Sequence, residues 1–507
     1  MKHSNILPVL IGILTIGLAS SCELARDPVD TYSDVTEGVT AQGKEVVFKD
    51  KATIQNYLAF LYQQMRDRQE HWYLDLLLIA ESHSDNAYAG TTGAEVIPFE
   101  NNSIEGSNSV INRDWRRYLE DIGRANRLIV YADSVADNSL SQSEISLFKA
   151  QGRLFRALVM FDMVRIYGSI PVITTVAGDI TAETIGTVYK DYFPKQSPEI
   201  DAYRQIEEDC LFALQNAPNN NAANKTIFSK SVAKALLAKI YAEKPLRDYT
   251  KVIQYSDALT TDGFDIIGDY TDLFGMNAAN TDAKVRNTQE SILEAQFLPG
   301  AGNWATWMFG RDLANYAVNF TWAKWVTPSR DLIQTFQNEG DTKRFSESVV
   351  YYTTTWSNYY PSTNYPFMYK LRSAFSSIIK IRYADILLLK AEALVMGPNK
   401  NLEAAAVIVD KIRNRVNLQP LPFNVRTNQK AMEDAILKER RLELAFEGQR
   451  WFDLVRLDRV EEIMNAVYAK DSGRKARVYP FVKNSYRLPI PQSAIDQNPN
   501  LVQNPGY

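Results

Sequence analysis

The stretch at residues 383–416, YADILLLKAEALVMGPNKNLEAAAVIVDKIRNRV, decides the fold class of this 507-residue chain. Apolar residues recur at helical spacing on both sides of the Gly397-Pro398 pair, which predicts two helices joined by a tight break. A second stretch of the same length, 229–262, has helical patterns on either side of Pro245. A repeated length of 34 residues is typical of stacked tetratricopeptide-like helical hairpins.

Helical patterns continue outward from these hairpins. They cover residues 54–68, 113–135 and 428–446. Ser141 and Glu144 form a capping-box pattern that opens a long helix, which should end at Gly168. Residues 153–167 of that helix are apolar on nearly every side, so it should lie inside the body.

The charged residues within the buried helix need partners. They are Arg153, Arg156, Asp162 and Arg165. We expect a salt-bridge network; a site for an anion is the alternative. Cys210 falls in another helical stretch and should be a small buried apolar residue.

Three other regions lack a long helical pattern. Residues 168–198 are rich in β-branched residues, 263–380 in Gly, Asn, Thr, Trp and Tyr, and 478–507 in proline. We therefore predict one mostly α body at 51–507. Its helical scaffold comprises 51–262 and 381–470, with a loop-rich irregular insert at 263–380 and an extended C-terminal segment at 478–507.

The N-terminus predicts a secreted, lipidated protein. An apolar run from Ile6 to Leu18 is too short to span a bilayer comfortably and ends in Ala19-Ser20-Ser21-Cys22. This junction is typical of a bacterial lipobox, so residues 1–21 should be a lipoprotein signal peptide and Cys22 the site of lipid attachment. Residues 22–50 are polar and should form a lipidated tether. The alternative is an ordinary signal peptide with an incidental cysteine.

Composition excludes several classes of function. The formal charge is −4, which gives no general field for nucleic acid. Two cysteines exclude a disulfide framework, and three histidines disfavour a multi-histidine metal site. We predict no cofactor and no metal site, with a structural calcium ion left open.

Two aromatic clusters in the insert, and a third near the N-terminus, have the composition of a carbohydrate site. Rings cover the C–H faces of sugars, and short polar side chains pair with hydroxyls. Four of the eight tryptophans fall within residues 304–325, and the second cluster lies within 351–369. For any single ring, packing in the core is the competing explanation. The candidate ligand-binding residues are Trp72, Asp85, Asn86, Tyr88, Trp304, Trp307, Tyr316, Trp322, Trp325 and Tyr359.

Longer motifs resemble one known family. They are the stretches at 150–171, 382–393, 439–456 (ERRLELAFEGQRWFDLVR) and 488–507. In sequence and order, these stretches and the lipobox are similar to the SusD/RagB family of surface lipoproteins. The charges of 439–456 suit internal ion pairs between helices, so these motifs should be scaffold.

The resemblance implies a fold, a location and a role. It implies tetratricopeptide-like units with an irregular ligand-binding half, and a lipid-anchored location on the outer membrane, facing the cell exterior. It implies a non-catalytic protein that captures an oligosaccharide or polysaccharide and delivers it to a SusC-like TonB-dependent transporter for uptake.

Two alternatives remain. One is a peptide-binding RagB-like protein with the same architecture. The other is a surface glycoside hydrolase, for which Glu81 and Asp85 are the best carboxylate pair. Glu81 with His71 and His83 could bind a metal, but their spacing fits no established pattern.

Overall fold

The structure is a computed structural model and describes residues 47–90, 93–297, 302–308 and 325–507. Helices dominate these residues and the strands are short, which confirms the predicted mostly α fold. The longer helices are α1 (Lys51–Asp67), α2 (Ser109–Tyr131), α3 (Gln142–Tyr167), α4 (Glu199–Asn216), α5 (Lys230–Ala242), α6 (Tyr249–Thr261), α7 (Arg330–Glu339), α8 (Thr342–Ser348), α9 (Tyr383–Met396), α10 (Leu402–Arg415), α11 (Gln429–Glu443), α12 (Arg450–Arg456) and α13 (Val460–Lys470).

Shorter helical turns connect these helices. They are Glu70–Leu74, Asp75–Leu77, Leu78–Ser82, Ile97–Asn101, Ala132–Ser134, Ile185–Val188, Tyr189–Tyr192, Lys244–Leu246, Thr271–Phe274, Ala305–Met308, Ser362–Asn364, Phe423–Arg426, Lys483–Tyr486 and Gln492–Gln497. Glu70–Leu74 and Leu78–Ser82 are π-helical.

Six strands form three separate two-stranded antiparallel pairs. They are β1 (Ala87–Tyr88), β2 (Ser291–Ala295), β3 (Thr327–Pro328), β4 (Val349–Tyr352), β5 (Tyr365–Met368) and β6 (Ile378–Arg382). β1 pairs with β3, β2 with β6, and β4 with β5. The β1–β3 and β2–β6 pairs therefore join remote parts of the chain, β4 and β5 form a local hairpin, and no larger sheet forms among the described residues.

Both predicted helical hairpins are present. In the first, Ser229 caps α5 and Asp248 caps α6; in the second, Asn401 caps α10. Each cap accepts hydrogen bonds from backbone N–H groups that the helix itself leaves unpaired. The pairs α2–α3, α3–α4, α4–α5, α5–α6, α6–α9 and α9–α10 are in contact, so the hairpins stack as repeat proteins do.

The long central helix is α3. The capping box of Ser141 and Glu144 opens it, and it ends at Gly168, whose φ of 75° suits a residue without a side chain. Nearly every residue after Phe148 is buried, as predicted. Arg156 pairs with Asp209 at 2.6 Å and Arg165 with Asp162 at 2.6 Å, so these charges serve the predicted salt-bridge network.

The charges of 439–456 also point inward, as predicted. Glu443 accepts from Arg382 Nη1 at 2.6 Å and also pairs with Arg415. Arg440 pairs with Asp385 at 2.7 Å. Although burial alone would raise the pKa of Glu443, the neighbouring Arg415 and Arg382 guanidinium groups lower it well below its ordinary value. The network ties α11 to α9, α10 and β6.

The insert and the C-terminal segment contain more helix than their composition indicated. Residues 263–380 include α7 and α8, and Gln492–Gln497 interrupts the extended C-terminal chain. The cap of Ser329 on the Leu332 N–H was the local signal for α7. Cys210 is buried, as predicted. No helix in the described ranges is both long enough and apolar enough to span a bilayer.

Candidate functional site

The second aromatic cluster lies on the hairpin formed by β4 and β5. Tyr352 lies opposite Tyr365, and Val350 lies opposite Phe367. Since side chains alternate across a strand, these four residues share one face of the hairpin. Tyr351 points to the other face, where its ring centroid lies 6.4 Å from that of Phe345 in α8.

Five rings on this side of the hairpin form a connected group, which we call the aromatic platform: Tyr352, Trp356, Tyr360, Tyr365 and Phe367. Centroid distances run from 5.6 Å for Tyr365–Phe367 to 6.2 Å for Tyr352–Phe367, in tilted and edge-to-face arrangements. Tyr365 and Phe367 are buried, whereas the other three are only partly buried. The buried rings therefore hold three partly exposed rings at the surface.

The connection from β4 to β5 is held by its own hydrogen bonds. Thr354 N donates to Ser362 O at 2.7 Å, and Tyr365 Oη donates to Asn358 Oδ1 at 2.8 Å. Tyr360 Oη donates to Pro328 O in β3 at 2.8 Å. These contacts fix the rings before a ligand arrives, which lowers the entropy cost of binding.

The tyrosines of the platform stay protonated at physiological pH. Burial raises the pKa of Tyr365 to about 12, and it also raises the pKa values of Tyr352 and Tyr360. Residues 353–364 contain no charged side chain. The hairpin thus offers rings, hydroxyls and amides, which are the groups that pair with sugars.

Trp304 is an exposed aromatic residue outside the platform. Its side chain is 44% exposed. Its backbone N–H donates to Gln69 Oε1 at 2.8 Å. The preceding Asn303 is buried, and its Nδ2 donates to Ser376 O at 2.8 Å. The ring is therefore exposed on a firmly anchored backbone.

Trp304 and the platform are linked through a contact between Met308 and Trp325. Trp325 N donates to Met308 O at 2.8 Å, so the residues that precede and follow 309–324 meet. Ser82 Oγ donates to Trp325 O at 2.7 Å. Two residues further on, Thr327 Oγ1 lies 3.4 Å from Tyr365 Oη of the platform. Tyr316, Trp322 and the side chain of Trp307 lie outside the described residues.

The remaining candidate residues that the structure describes are buried. Tyr88 and Tyr359 are stacked at 4.6 Å with an angle of 5° between the rings, and both are buried. Tyr88 Oη donates to Asp471 Oδ2 at 2.6 Å, and Tyr359 Oη donates to Glu100 Oε2 at 2.6 Å. The stacked pair adjoins Tyr360, 6.1 Å from Tyr88, and so supports the platform from below.

Three other buried candidates form hydrogen bonds with interior side chains. Asp85 accepts from Arg450 Nε at 2.8 Å, and Asn86 Nδ2 donates to Glu81 at 2.7 Å. Trp72 Nε1 donates to Asp121 at 3.0 Å, and Trp325 is 7% exposed. Direct contact of these residues with a ligand stays a prediction.

The second aromatic cluster predicted from the sequence contains all five platform rings. Tyr359 was the ligand-binding candidate chosen from it, and the rings around Tyr359 were not chosen. The period of two within 365–368 was the available signal, because it places Tyr365 and Phe367 on one face; Tyr352 joins that face through the register of β4 with β5. Trp356 and Tyr360 can be assigned to the same side of the hairpin only when the conformation of the connection between the strands is known.

The residues considered for catalysis are enclosed. Glu81 and Asp85 are buried, and burial raises the pKa of Glu81 to about 7. His71 Nε2 lies 2.7 Å from Asp121, and His83 Nδ1 lies 2.6 Å from Phe99 O. Within the described ranges, no group of three or more His, Cys, Asp or Glu side chains could hold a metal ion.

Comparisons with known proteins agree on one family. The SusD family model matches residues 350–507, and a model described as "Starch-binding associating with outer membrane" matches residues 31–242. A SusD-like protein P2 of Formosa agariphila is 25% identical over 98% of both chains. A solved laminarin-binding SusD-like protein has a TM-score of 0.66 at 24% identity, covering 91% of this chain and 100% of its own. Surface glycan-binding protein A from Bacteroides fluxus has a TM-score of 0.71 at 19% identity, covering 90% and 100%.

The stacked hairpins form a tetratricopeptide-like scaffold that carries an aromatic surface. The matched models together cover residues 31–242 and 350–507, and the chain belongs to the SusD/RagB family. This is a family of glycan-binding proteins associated with the outer membrane, whose members are non-catalytic. The predicted family is confirmed.

Proposed function

We propose that this protein is a non-catalytic surface lipoprotein that captures an oligosaccharide or polysaccharide on the aromatic platform and Trp304. The ligand is then delivered to a SusC-like TonB-dependent transporter for nutrient uptake. The observation that carries the proposal is the set of partly exposed rings, Tyr352, Trp356 and Tyr360, held on buried rings.

The chemistry of this surface suits a polyhydroxylated chain better than a small charged metabolite. Its rings are flat, its hydroxyls are protonated, and its connecting residues 353–364 carry no charge. Rings and amides can repeat contacts along an extended oligomer, since each sugar presents a C–H face and several hydroxyls. An open surface of this kind binds the chain without enclosing a bond to be broken.

Names of related proteins support the ligand class. One solved neighbour is called laminarin-binding and another is called a surface glycan-binding protein. These names indicate the class of ligand and not the individual sugar.

Location and partner complete the proposal. Lipid on Cys22 would anchor the chain in the outer membrane, with 22–50 as the tether and the body facing the cell exterior. Dual or triple acylation holds a protein in a membrane far more firmly than a single chain does. Co-purification of the transporter with tagged protein from detergent-solubilised outer membranes tests the partnership, and its absence under mild detergent would refute it.

Retardation of the purified body in native gels that contain single polysaccharides tests the ligand class. We expect slowed migration with at least one polysaccharide and no release of reducing sugar from it on prolonged incubation. Retention of peptides and of no polysaccharide would favour the RagB-like alternative. Release of reducing sugar would show a hydrolase.

A further inference from the structure

A cation lies at the edge of the aromatic platform. The guanidinium carbon of Arg330 is 4.6 Å from the centroid of Tyr360, and its Nη1 lies 3.1 Å from Tyr88 Oη. The side chain is 43% exposed. A guanidinium stacked on a ring is held in place and still has N–H groups free to turn toward a ligand.

Two further cations, Lys470 and Lys475, contact residues beside Arg330. Lys470 is the last residue of α13, and its side chain is 63% exposed. Lys475 Nζ lies 5.7 Å from the centroid of Tyr359, which underlies the platform. We call Arg330, Lys470 and Lys475 the basic rim.

The carboxylates that contact this rim lie below it. Asp471 is 3.6 Å from Arg330 Nη1, and its side chain is 7% exposed. Asp331 pairs with Lys470 and is 9% exposed. Glu100 is buried and accepts from the backbone N–H of Lys475 at 2.9 Å.

This layering decides the sign of the charge that a ligand meets. The acids are covered, and each already accepts hydrogen bonds or pairs with a cation, whereas the side chains of Arg330 and Lys470 are 43% and 63% exposed and Lys475 is partly buried. Although burial alone would raise the pKa of Asp331, the Arg441 guanidinium lowers it, so this acid stays ionised and neutralises part of the rim. Because exposed charges act at short range in salt, the nearest charges dominate for a ligand on the platform.

We propose that the basic rim selects an acidic glycan, a polysaccharide whose sugars carry carboxylate or sulfate groups. The inference rests on the proposed function and names the substrate class of the same surface. Sugar rings would lie on Tyr352, Trp356 and Tyr360, while an anionic substituent would pair with Arg330 and approach Lys475. Arg330 is suited to this role because its planar fork matches two oxygens of a carboxylate or sulfate.

The test compares acidic and neutral polysaccharides on the intact body. The acidic panel contains polygalacturonate, alginate, chondroitin sulfate and carrageenan; the neutral panel contains laminarin, xylan and starch. We expect retardation by an acidic member, weakened as sodium chloride rises from 50 to 500 mM. Whether the uronates or the sulfated polymers are retained identifies the anionic group.

Variants locate the effect. We expect Arg330→Gln to weaken binding of the retained acidic polymer by roughly ten- to hundredfold, since hydrogen bonds to charged groups are each worth a factor of this size. Lys475→Gln, which removes no hydrogen bond seen within the described residues, should weaken it by less. The salt dependence should become shallower in both variants.

Matched controls separate charge at the rim from charge in general. Arg116→Gln removes a cation of similar exposure, 46%, whose partner Glu120 is on the same helix. Lys430→Gln removes an exposed lysine of α11 that pairs with Asp434 on the same helix. We expect both controls to bind as the wild type does, and thermal melting must show all variants folded.

The outcomes distinguish the two proposals. Retention of neutral polymers alone, or of an acidic polymer equally by wild type, Arg330→Gln and Lys475→Gln, overturns the basic rim and leaves glycan binding intact. Retention of none of the polymers overturns both. Should Arg330→Gln fail to fold, the Lys475→Gln variant and the salt dependence of the wild type decide the question.

Discussion

Replacing Trp304 by Ala tests the binding surface with least damage to the fold. The side chain is 44% exposed, and its structural role is limited because the hydrogen bond to Gln69 comes from its backbone N–H. Alanine keeps that N–H, and Asn303 keeps its anchor on Ser376. The variant should therefore melt within a few degrees of the wild type.

The expected loss of affinity follows from the exposed area. An aromatic side chain of up to about 250 Å² that is 44% exposed presents roughly 100 Å² to solvent. A sugar that covers half or all of this surface gains about 1–2.5 kcal/mol at about 25 cal/mol per Å². Trp304→Ala should therefore raise Kd by roughly 5- to 70-fold.

Isothermal titration with an oligosaccharide of the retained polymer measures this change. Phe423→Ala serves as the control, because Phe423 is 79% exposed on a separate short helix of the scaffold. We expect its affinity to equal that of the wild type. A folded Trp304→Ala variant with wild-type affinity would refute the placement of ligand beside Trp304.

Three other changes test separate parts of the account. Trp356→Ala should weaken glycan binding at least tenfold and lower the free energy of unfolding by about 1–2 kcal/mol, because ring contacts are lost. Calorimetry should show the weaker binding and thermal melting the lower stability. Wild-type affinity in the folded variant would count against the platform. Burial raises the pKa of Glu81 from 4.5 to about 7, so the folded state holds a proton that the unfolded chain has released, and this group lowers stability as pH rises. Urea titrations measure the free energy of unfolding of the wild type and of Glu81→Gln. The difference, wild type minus variant, should fall by about 2–3 kcal/mol between pH 5 and 8. A constant difference would contradict the raised pKa. Cys22→Ala should abolish labelling by radioactive palmitate and release the protein from the membrane fraction, whereas a labelled, membrane-bound variant would refute the anchor.

Local patterns were enough to predict the scaffold. The helices of 383–416 and 229–262 follow from the spacing of apolar residues and from caps a few residues away, and the structure places α5, α6, α9 and α10 there. The charges of α3 were expected to pair because a helix apolar on all sides leaves them no route to water. Such inferences work because their causes lie within one or two helical turns.

The binding surface could be narrowed from the sequence but not resolved. Tyr88, Tyr359 and Trp304 all stand among polar residues, yet the first two are buried and the third is 44% exposed. Composition does not distinguish them, because exposure depends on which other segment covers each ring. Tyr88 is covered by Tyr359, and its hydroxyl bonds to Asp471, 383 residues away.

By itself, the sequence determined the mostly α scaffold, the family and the aromatic composition of the binding region. Only the tertiary structure decided which rings reach the surface and which charges accompany them. The acids below the basic rim come from the C-cap of α13, from α7 and from the short helix Ile97–Asn101, so the sign of the exposed charge is a property of the packed segments. Helix formation is governed by near neighbours along the chain, whereas burial is governed by neighbours in space that no local pattern specifies.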